Sequence, residues 1–283
     1  MQAMIRTFVI LLVSLFALPA PAAPVAELFE PYGKLLERHV SEHDLDTGGL
    51  VSSFDYRAAM AERDSRELIE GQRQRLAEFE SDEFDSRDDA VAFWINAYNF
   101  FMIAHLVDNP EDGEVVDSVK DYGSLFNPFR VFERERFKVA GHERSLDEME
   151  KEILLGEDFS ERGWKDARVH FAVNCASVGC PPLRKIPYTA ANVERLLDEN
   201  TRRALLTPLH LHIEGDTARL TSLFDWYASD FEQAAGSIDS FIKDHLDEER
   251  AANFDATEQS RFIDYDWQLN SPSNIRQWLE NHQ

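Results

Sequence analysis

Apolar and polar positions recur with two periods along this chain, and those periods predict its elements. Between Val25 and Val40, Leu28, Phe29, Tyr32, Leu35 and Leu36 fall on one face at helical spacing. Residues 41–52 are polar, contain Gly48 and Gly49, and predict a loop. Residues 55–80 interleave acids and bases around Tyr56, Met60, Leu68 and Leu76, the pattern of a solvated helix with ion pairs of about 0.2–0.5 kcal/mol each. Ser86, with Asp89 three residues on, then opens a helix from Val91 to Val107 that is apolar on nearly every side. A helix of that kind is buried all round. Inside its apolar coat it carries Trp94, Asn96, Tyr98, Asn99 and His105, and Asp108-Asn109-Pro110 stops it.

The second half is more broken. Phe132–Val139 followed by Ala140-Gly141-His142 predicts a small hairpin, and Ser145-Leu-Asp-Glu148 is a capping box that starts a helix ending at Gly156. A further helix is expected from about Thr189 to Leu206. Leu209–Ile213 and Ala218–Thr221, joined at Gly215-Asp216, predict a second hairpin. Short helices near 222–232 and 237–248 and an alternating strand over 262–267 complete the pattern. The fold class is therefore α+β: a mostly helical single domain with a buried central helix and a small sheet of short strands.

Residues 168–183 carry most of the chemistry. Val169, Phe171 and Val173 alternate with His170, Ala172 and Asn174, which predicts a strand with one buried face. A loop of small residues, Gly179 and Pro181-Pro182 follows. The segment holds both cysteines of the chain, Cys175 and Cys180. On a strand, His170 and Asn174 share a face and Cys175 points the other way, unless the strand breaks at Asn174 ahead of the turn-forming Ala176-Ser177 and brings sulfur and imidazole to one side.

Composition narrows the setting. Residues 1–22 read as a secretory signal: Arg6, an apolar run from Phe8 to Leu18, and Ala20-Pro21-Ala22 as the cleavage site. Residues 23–283 then form the mature domain, with no integral membrane segment once the signal is removed, and the protein is expected to be periplasmic or secreted. The net charge of −24 disfavours nucleic acid as a partner and leaves a small molecule or a peptide. In an oxidising compartment the two cysteines favour a bridge, and one intramolecular pairing is available.

The chain resembles the DUF547 family (domain of unknown function 547). The matching blocks are Phe93-Trp-Ile-Asn-Ala-Tyr-Asn99, the Ser145–Glu148 helix start, Val169–Leu183, Phe224-Asp-Trp-Tyr-Ala-Ser-Asp-Phe231 and Tyr265-Asp-Trp-Gln-Leu-Asn270. They keep the family's order over roughly residues 85–270, preceded by a helical extension over 25–80. The resemblance implies one domain built from these blocks and singles out His170, Cys175 and Cys180 as motif positions without assigning them a role.

Three chemistries fit these residues. The first is a cysteine-centred hydrolase or acyltransferase, with Cys175 as nucleophile, His170 as its base, and Asn96, or an acid such as Asp264 or Asp266, to orient the imidazole. Tyr98, Asn99, Asn174, Cys180, Trp226 and Asp266 are then the binding residues. The order of elements is similar to that of papain-like and transglutaminase-like enzymes, yet those place the cysteine on the buried helix, and here that helix has none. The second is a disulfide that staples a non-catalytic binding or interaction module, contributing on the order of 2–3 kcal/mol. Asn96 and Asn99 then serve to satisfy buried loop backbone. The third is a metal site on His170, Cys175 and Cys180, or on His210 and His212 sharing a strand face, although Cys-x4-Cys lies at the edge of zinc spacing. A redox role is weaker by spacing, because thioredoxin-like motifs use two intervening residues. No cofactor motif is present: neither a phosphate loop nor Gly-x-Gly-x-x-Gly occurs.

Overall fold

The computed structural model describes residues 25–79 and 83–282. The expected secretory signal at 1–22 lies outside the described residues. Among the described residues the architecture is mostly helical α+β, with three small sheets of two, two and three strands.

The central helix, Arg87–Asp108, organises the larger core. Ser86 caps it, its Oγ accepting from the Asp89 backbone N–H at 3.1 Å and donating to the Asp89 carboxylate at 2.6 Å. Every residue from Ala90 to Val107 is buried. The helix is long and apolar enough to cross a bilayer by composition, and its apolar window lies wholly inside the fold. Helices Glu30–His39 and Arg63–Glu78 supply Tyr32, Leu35, Ile69 and Leu76 to the same core, and Phe29, just ahead of the first, joins them.

Two departures from the sequence pattern occur before this helix. The polar stretch 41–52 is not a loop: β1 (Val40–Asp44) and β2 (Leu50–Phe54) pair antiparallel, with Val40 opposite Phe54 and Asp44 opposite Leu50. All of β2 is buried, and Ser52 Oγ accepts from the Leu183 N–H at 2.7 Å, so its serines serve the interior. The run 55–80 is two helices, Tyr56–Ala61 and Arg63–Glu78, because Glu62 between them is extended.

After the central helix, Phe132 belongs to a helical turn, Arg130–Arg134, and only β3 (Phe137–Val139) and β4 (His142–Arg144) form the hairpin. Ala140 and Gly141 take the left-handed conformation that a tight two-residue turn requires. The capping box at Ser145 forms as expected, with reciprocal bonds of 2.9 and 3.1 Å to Glu148. The helix it opens, Glu148–Leu154, is π-helical. Single π turns are frequent at functional sites, and this one turns Glu150 inward.

The largest departure concerns residues 167–171. They form a 3-10 turn, not a strand. Asp166 caps it by accepting from the Arg168 N–H at 2.9 Å. Val169, His170, Phe171 and Ala172 are all buried, so the alternation in the sequence does not mark an inside and an outside. Val169 joins the core of the central helix, whereas Phe171 joins a second core with Phe224, Phe231 and Phe241. The segment is the seam between the two.

Beyond it, helix Val193–Leu205 leads to β5 (Leu211–Glu214) and β6 (Thr217–Leu220), which pair antiparallel. Four short helices, Leu223–Trp226, Ala228–Ala235, Ile238–Asp244 and Glu248–Asp255, then carry the chain to β7 (Gln259–Phe262), parallel to β6. The strand expected over 262–267 thus ends at Phe262. The extended chain after it borders the cysteine loop, where Val178 and Gly179 donate to the carbonyls of Gln268 and Asp266 at 2.8 and 2.9 Å. A last helix, Pro272–His282, which the hydrophobic pattern did not reveal, packs Ile275 and Trp278 on Val51 and Val178.

Candidate functional site

The 3-10 turn, the π-helix, the helices Leu223–Trp226 and Ala228–Ala235 and the extended segment after β7 surround a cleft of about 510 Å³. Its apolar wall is aromatic. Trp226, 46% exposed, stands at the rim and stacks on Trp267 with centroids 5.8 Å apart. Tyr265 lies 4.6 Å from Trp267, and Phe129 extends the wall on the other side of Trp267 at 4.7 Å. Lys120 Nζ sits 4.8 Å from the Trp267 ring. The polar wall is built from Glu133, Asp147, Glu150, Lys151 and His170.

His170 is held from two sides. Its Nε2 lies 2.9 Å from Asp230 Oδ2, and its Nδ1 lies 3.6 Å from Glu150 Oε1, an ion-pair distance rather than a hydrogen bond. Its ring stacks on Tyr227 at 3.9 Å. Burial disfavours the imidazolium, but the two carboxylates outweigh burial and raise the pKa above that of an ordinary imidazole. Asp230 is shared with Lys165, whose Nζ is 2.7 Å from Oδ1. Burial opposes its ionisation, and the two cations still hold its carboxyl below the usual range. Asp147 behaves differently: burial raises its carboxyl despite the Lys151 ammonium at 2.8 Å. Burial likewise pushes the phenols of Tyr98, Tyr227 and Tyr265 up, so all three remain neutral hydrogen-bonding groups.

Cys175 and Cys180 form a disulfide, with their Cα atoms 6.2 Å apart. Cys175 is half-buried and lines the cleft, whereas Cys180 is buried behind it. Around Cys175 Sγ stand Ser177 Oγ at 3.2 Å and Tyr265 Oη at 3.3 Å. The loop between the cysteines is tied by its own backbone. Ala176 adopts φ +64°, a conformation L residues rarely take, and is fixed there because its N–H donates to Asn174 Oδ1 at 2.9 Å and its carbonyl accepts from the Asn270 N–H at 3.0 Å. Gly179 passes so close to the segment after β7 that a Cβ would meet Tyr265 at 3.0 Å and the Asp266 backbone at 3.1 Å.

These placements revise several expected roles. His170 and Cys175 do line one cleft, because the strand that would have put them on opposite faces is absent. Asn96 reaches neither: its amide clasps the backbone of Tyr188, donating at 2.7 Å and accepting at 2.9 Å. Asn99 does the same for the cysteine segment, donating to Ala172 O at 3.0 Å and accepting from the Asn174 N–H at 2.7 Å. Asn174 ties the loop, donating to Pro181 O at 2.7 Å. Tyr98 and Trp226 line the cleft. Asp266 does not orient the imidazole: its carboxylate accepts from the Gln268 N–H at 2.9 Å, and Asp264 is exposed. His210 and His212 do not share a face, since His210 is buried ahead of β5 while His212 is exposed on it. Among the described residues no group of three or more His, Cys, Asp or Glu side chains is arranged to hold a metal ion.

Glu150, Asp230, Lys165 and Tyr265 were not anticipated, whereas Tyr227 and Trp267, beside Trp226, were open from the sequence as pocket-lining aromatics. Tyr227, Asp230 and Tyr265 stand inside the blocks at 224–231 and 265–270, which was the available signal. Glu150 is one acid among 53 acidic residues, and only its inward turn distinguishes it.

Fold and site together define a mostly helical α+β domain with an aromatic cleft walled by a disulfide loop and a carboxylate-bound histidine. Residues 82–204 match the family described as "Protein of unknown function, DUF547", and this part of the chain is a DUF547 domain. The match takes in the blocks at 93–99, 145–148 and 169–183. No curated protein and no solved structure matches the chain.

Proposed function

We propose that the protein is an exported binding module that takes a small molecule or a peptide in the aromatic cleft, without catalysis by Cys175. The observation that carries this reading is the occupation of the would-be catalytic pair. Cys175 is bonded to Cys180, and the Nε2 of His170 is engaged by Asp230. A thiol enzyme needs a free thiolate and a base within reach of its proton. The wall suits a ligand with a flat apolar face, received by Trp226 and Trp267, and with donor groups turned toward Glu133, Asp147 and Glu150. A disulfide fits an oxidising compartment, which supports export.

Tryptophan fluorescence of the intact protein, titrated with a panel of aromatic amines, oligosaccharides and short peptides, tests the reading. Saturable quenching that is lost in Trp226→Ala is expected. The competing hydrolase or acyltransferase reading rests on Cys175 and His170 lining the same cleft. It predicts turnover of activated acyl esters by the reduced protein, abolished in both Cys175→Ala and His170→Gln. Such turnover would overturn the non-catalytic reading.

A further inference from the structure

We propose that the Cys175–Cys180 bridge is an exchange-active disulfide that accepts a small-molecule thiol at Cys175, on the cleft side, and releases Cys180 as the leaving thiolate. This does not depend on the cleft having a ligand of its own.

The two sulfurs are placed for different tasks. Cys175 lines the cleft and is half-buried, so the cleft is the side from which a small thiolate approaches it. Cys180 is 6% exposed and shielded from attack, yet its sulfur is surrounded by donors. The backbone N–H of Cys175 points at Cys180 Sγ from 3.0 Å, the backbone N–H of Ser177 from 3.3 Å, and Ser177 Oγ stands 3.1 Å away. A neutral disulfide sulfur gains little from three such contacts. A thiolate gains charge-assisted hydrogen bonds from each. A leaving thiolate stabilised in this way departs faster and favours the reduced form, as in oxidising disulfides.

The loop also keeps its shape without the bridge. Asn174 holds Ala176 and Pro181, Asn99 holds Asn174, and the segment after β7 holds Ala176, Val178 and Gly179 through main-chain bonds. The donors around Cys180 therefore stay in place when the sulfurs part.

The chemistry balances. A thiolate R–S⁻ attacks Cys175 Sγ; the bond between the two protein sulfurs breaks, and its electron pair leaves on Cys180 Sγ. A mixed disulfide joins R–S to Cys175. A second thiolate of the same kind attacks the R sulfur of that mixed disulfide, releasing R–S–S–R and the Cys175 thiolate. Two thiols are oxidised, the bridge takes up two electrons, and the thiol protons pass through solvent to the protein sulfurs.

The test uses the whole folded protein with millimolar reduced glutathione, acid quenching and peptide mass spectrometry. The expected result is a glutathione adduct on Cys175 and none on Cys180, with circular dichroism unchanged. In the same assay Ser177→Ala keeps the bridge and slows its reduction about tenfold, because one donor to the leaving thiolate is lost. A Cys180→Ser variant has no bridge to act as oxidant, so it should take up the adduct on Cys175 only from oxidised glutathione, the Cys175 thiolate attacking one sulfur and releasing the other as reduced glutathione. Since that variant removes the bridge and risks misfolding, the parent protein and Ser177→Ala decide the matter. A bridge that resists glutathione until the protein is unfolded, an adduct on Cys180, or a Ser177→Ala protein reduced as fast as the parent would each overturn the proposal.

Discussion

The seam segment 167–183 has two sides that are chemically opposite. Toward the central helix and helix Val193–Leu205 its backbone is held by neutral amides. Asn99 and Asn200 reach it from those helices, and Asn200 alone bridges the carbonyls of Phe171 and Pro182. Toward the cleft the partners are charged: Glu150, Asp230 and Lys165 around His170. The amide side fixes where the chain runs, since an amide both donates to a carbonyl and accepts from an N–H without needing a counter-ion. The charged side balances ions that a ligand, a proton or a thiol can perturb.

Two histidines make the contrast quantitative. His170 and His210 are each 1% exposed. His170 has two carboxylates, and its pKa is raised. At His210 burial dominates, only partly offset by a bond to the Cys180 backbone, and the pKa falls to about 4. Burial alone selects the neutral ring; burial beside carboxylates selects the charged one.

Breaking the amide side should have the largest effect. Asn99→Ala leaves the carbonyl of Ala172 and the N–H of Asn174 without partners inside the core. At about 1–3 kcal/mol for each of the two unpaired groups, a loss of roughly 2–6 kcal/mol is expected in urea unfolding. A loss below about 1 kcal/mol would show that the clasp is dispensable.

The next effect is pH dependence, with opposite signs at the two histidines. His210 is depressed in the fold, so the unfolded chain binds its proton first as pH falls from about 6.5 toward about 4. Stability should drop over that window by on the order of 3 kcal/mol from this group. His39 and His105 are depressed by burial too and add to the acid limb, so His210→Gln should flatten only part of it. His170 works the other way: its contribution is fully present below about 6.5 and is lost as pH rises through its raised value. Asp230, held low, contributes above about 3.8 and loses that contribution as pH falls further. His170→Gln should therefore remove a stability loss on the alkaline side, seen as a flatter dependence of the thermal midpoint as pH rises beyond about 6.5.

Reducing the bridge should matter less. A ring of this size contributes about 2 kcal/mol in the chain-entropy model, and the loop has its own backbone ties. A drop in the thermal midpoint without loss of cooperativity is expected. Smallest of all on stability is Trp226→Ala, within about 0.5 kcal/mol for an exposed side chain, although it should weaken cleft binding most. A large destabilisation by that change would mean that Trp226 belongs to the core rather than to the rim.

Much of this protein was legible along the chain. The run 91–107, apolar on nearly every side and capped by Ser86, dictated a helix hidden from water on every face. The Ser145–Glu148 box, the Gly215 hairpin and the stop at Asn109-Pro110 are local devices, and local devices can be read locally. With two cysteines in the chain, any internal bridge had to join Cys175 to Cys180; that it forms, rather than a free thiol or a metal site, is seen only in the structure. Tertiary structure decided the rest. Alternation at 169–173 reads as a strand only when one face is wet, and here both sides are packed, so the period carried no direction. The serines of β2 read as loop because nothing local shows that Leu183 will donate to Ser52. Above all, whether His170 pairs with Cys175 or with Asp230 depends on a contact spanning 60 residues. Spacing cannot encode which acid among so many arrives there; only the packing of the second core against the first brings Asp230 and Glu150 to the imidazole.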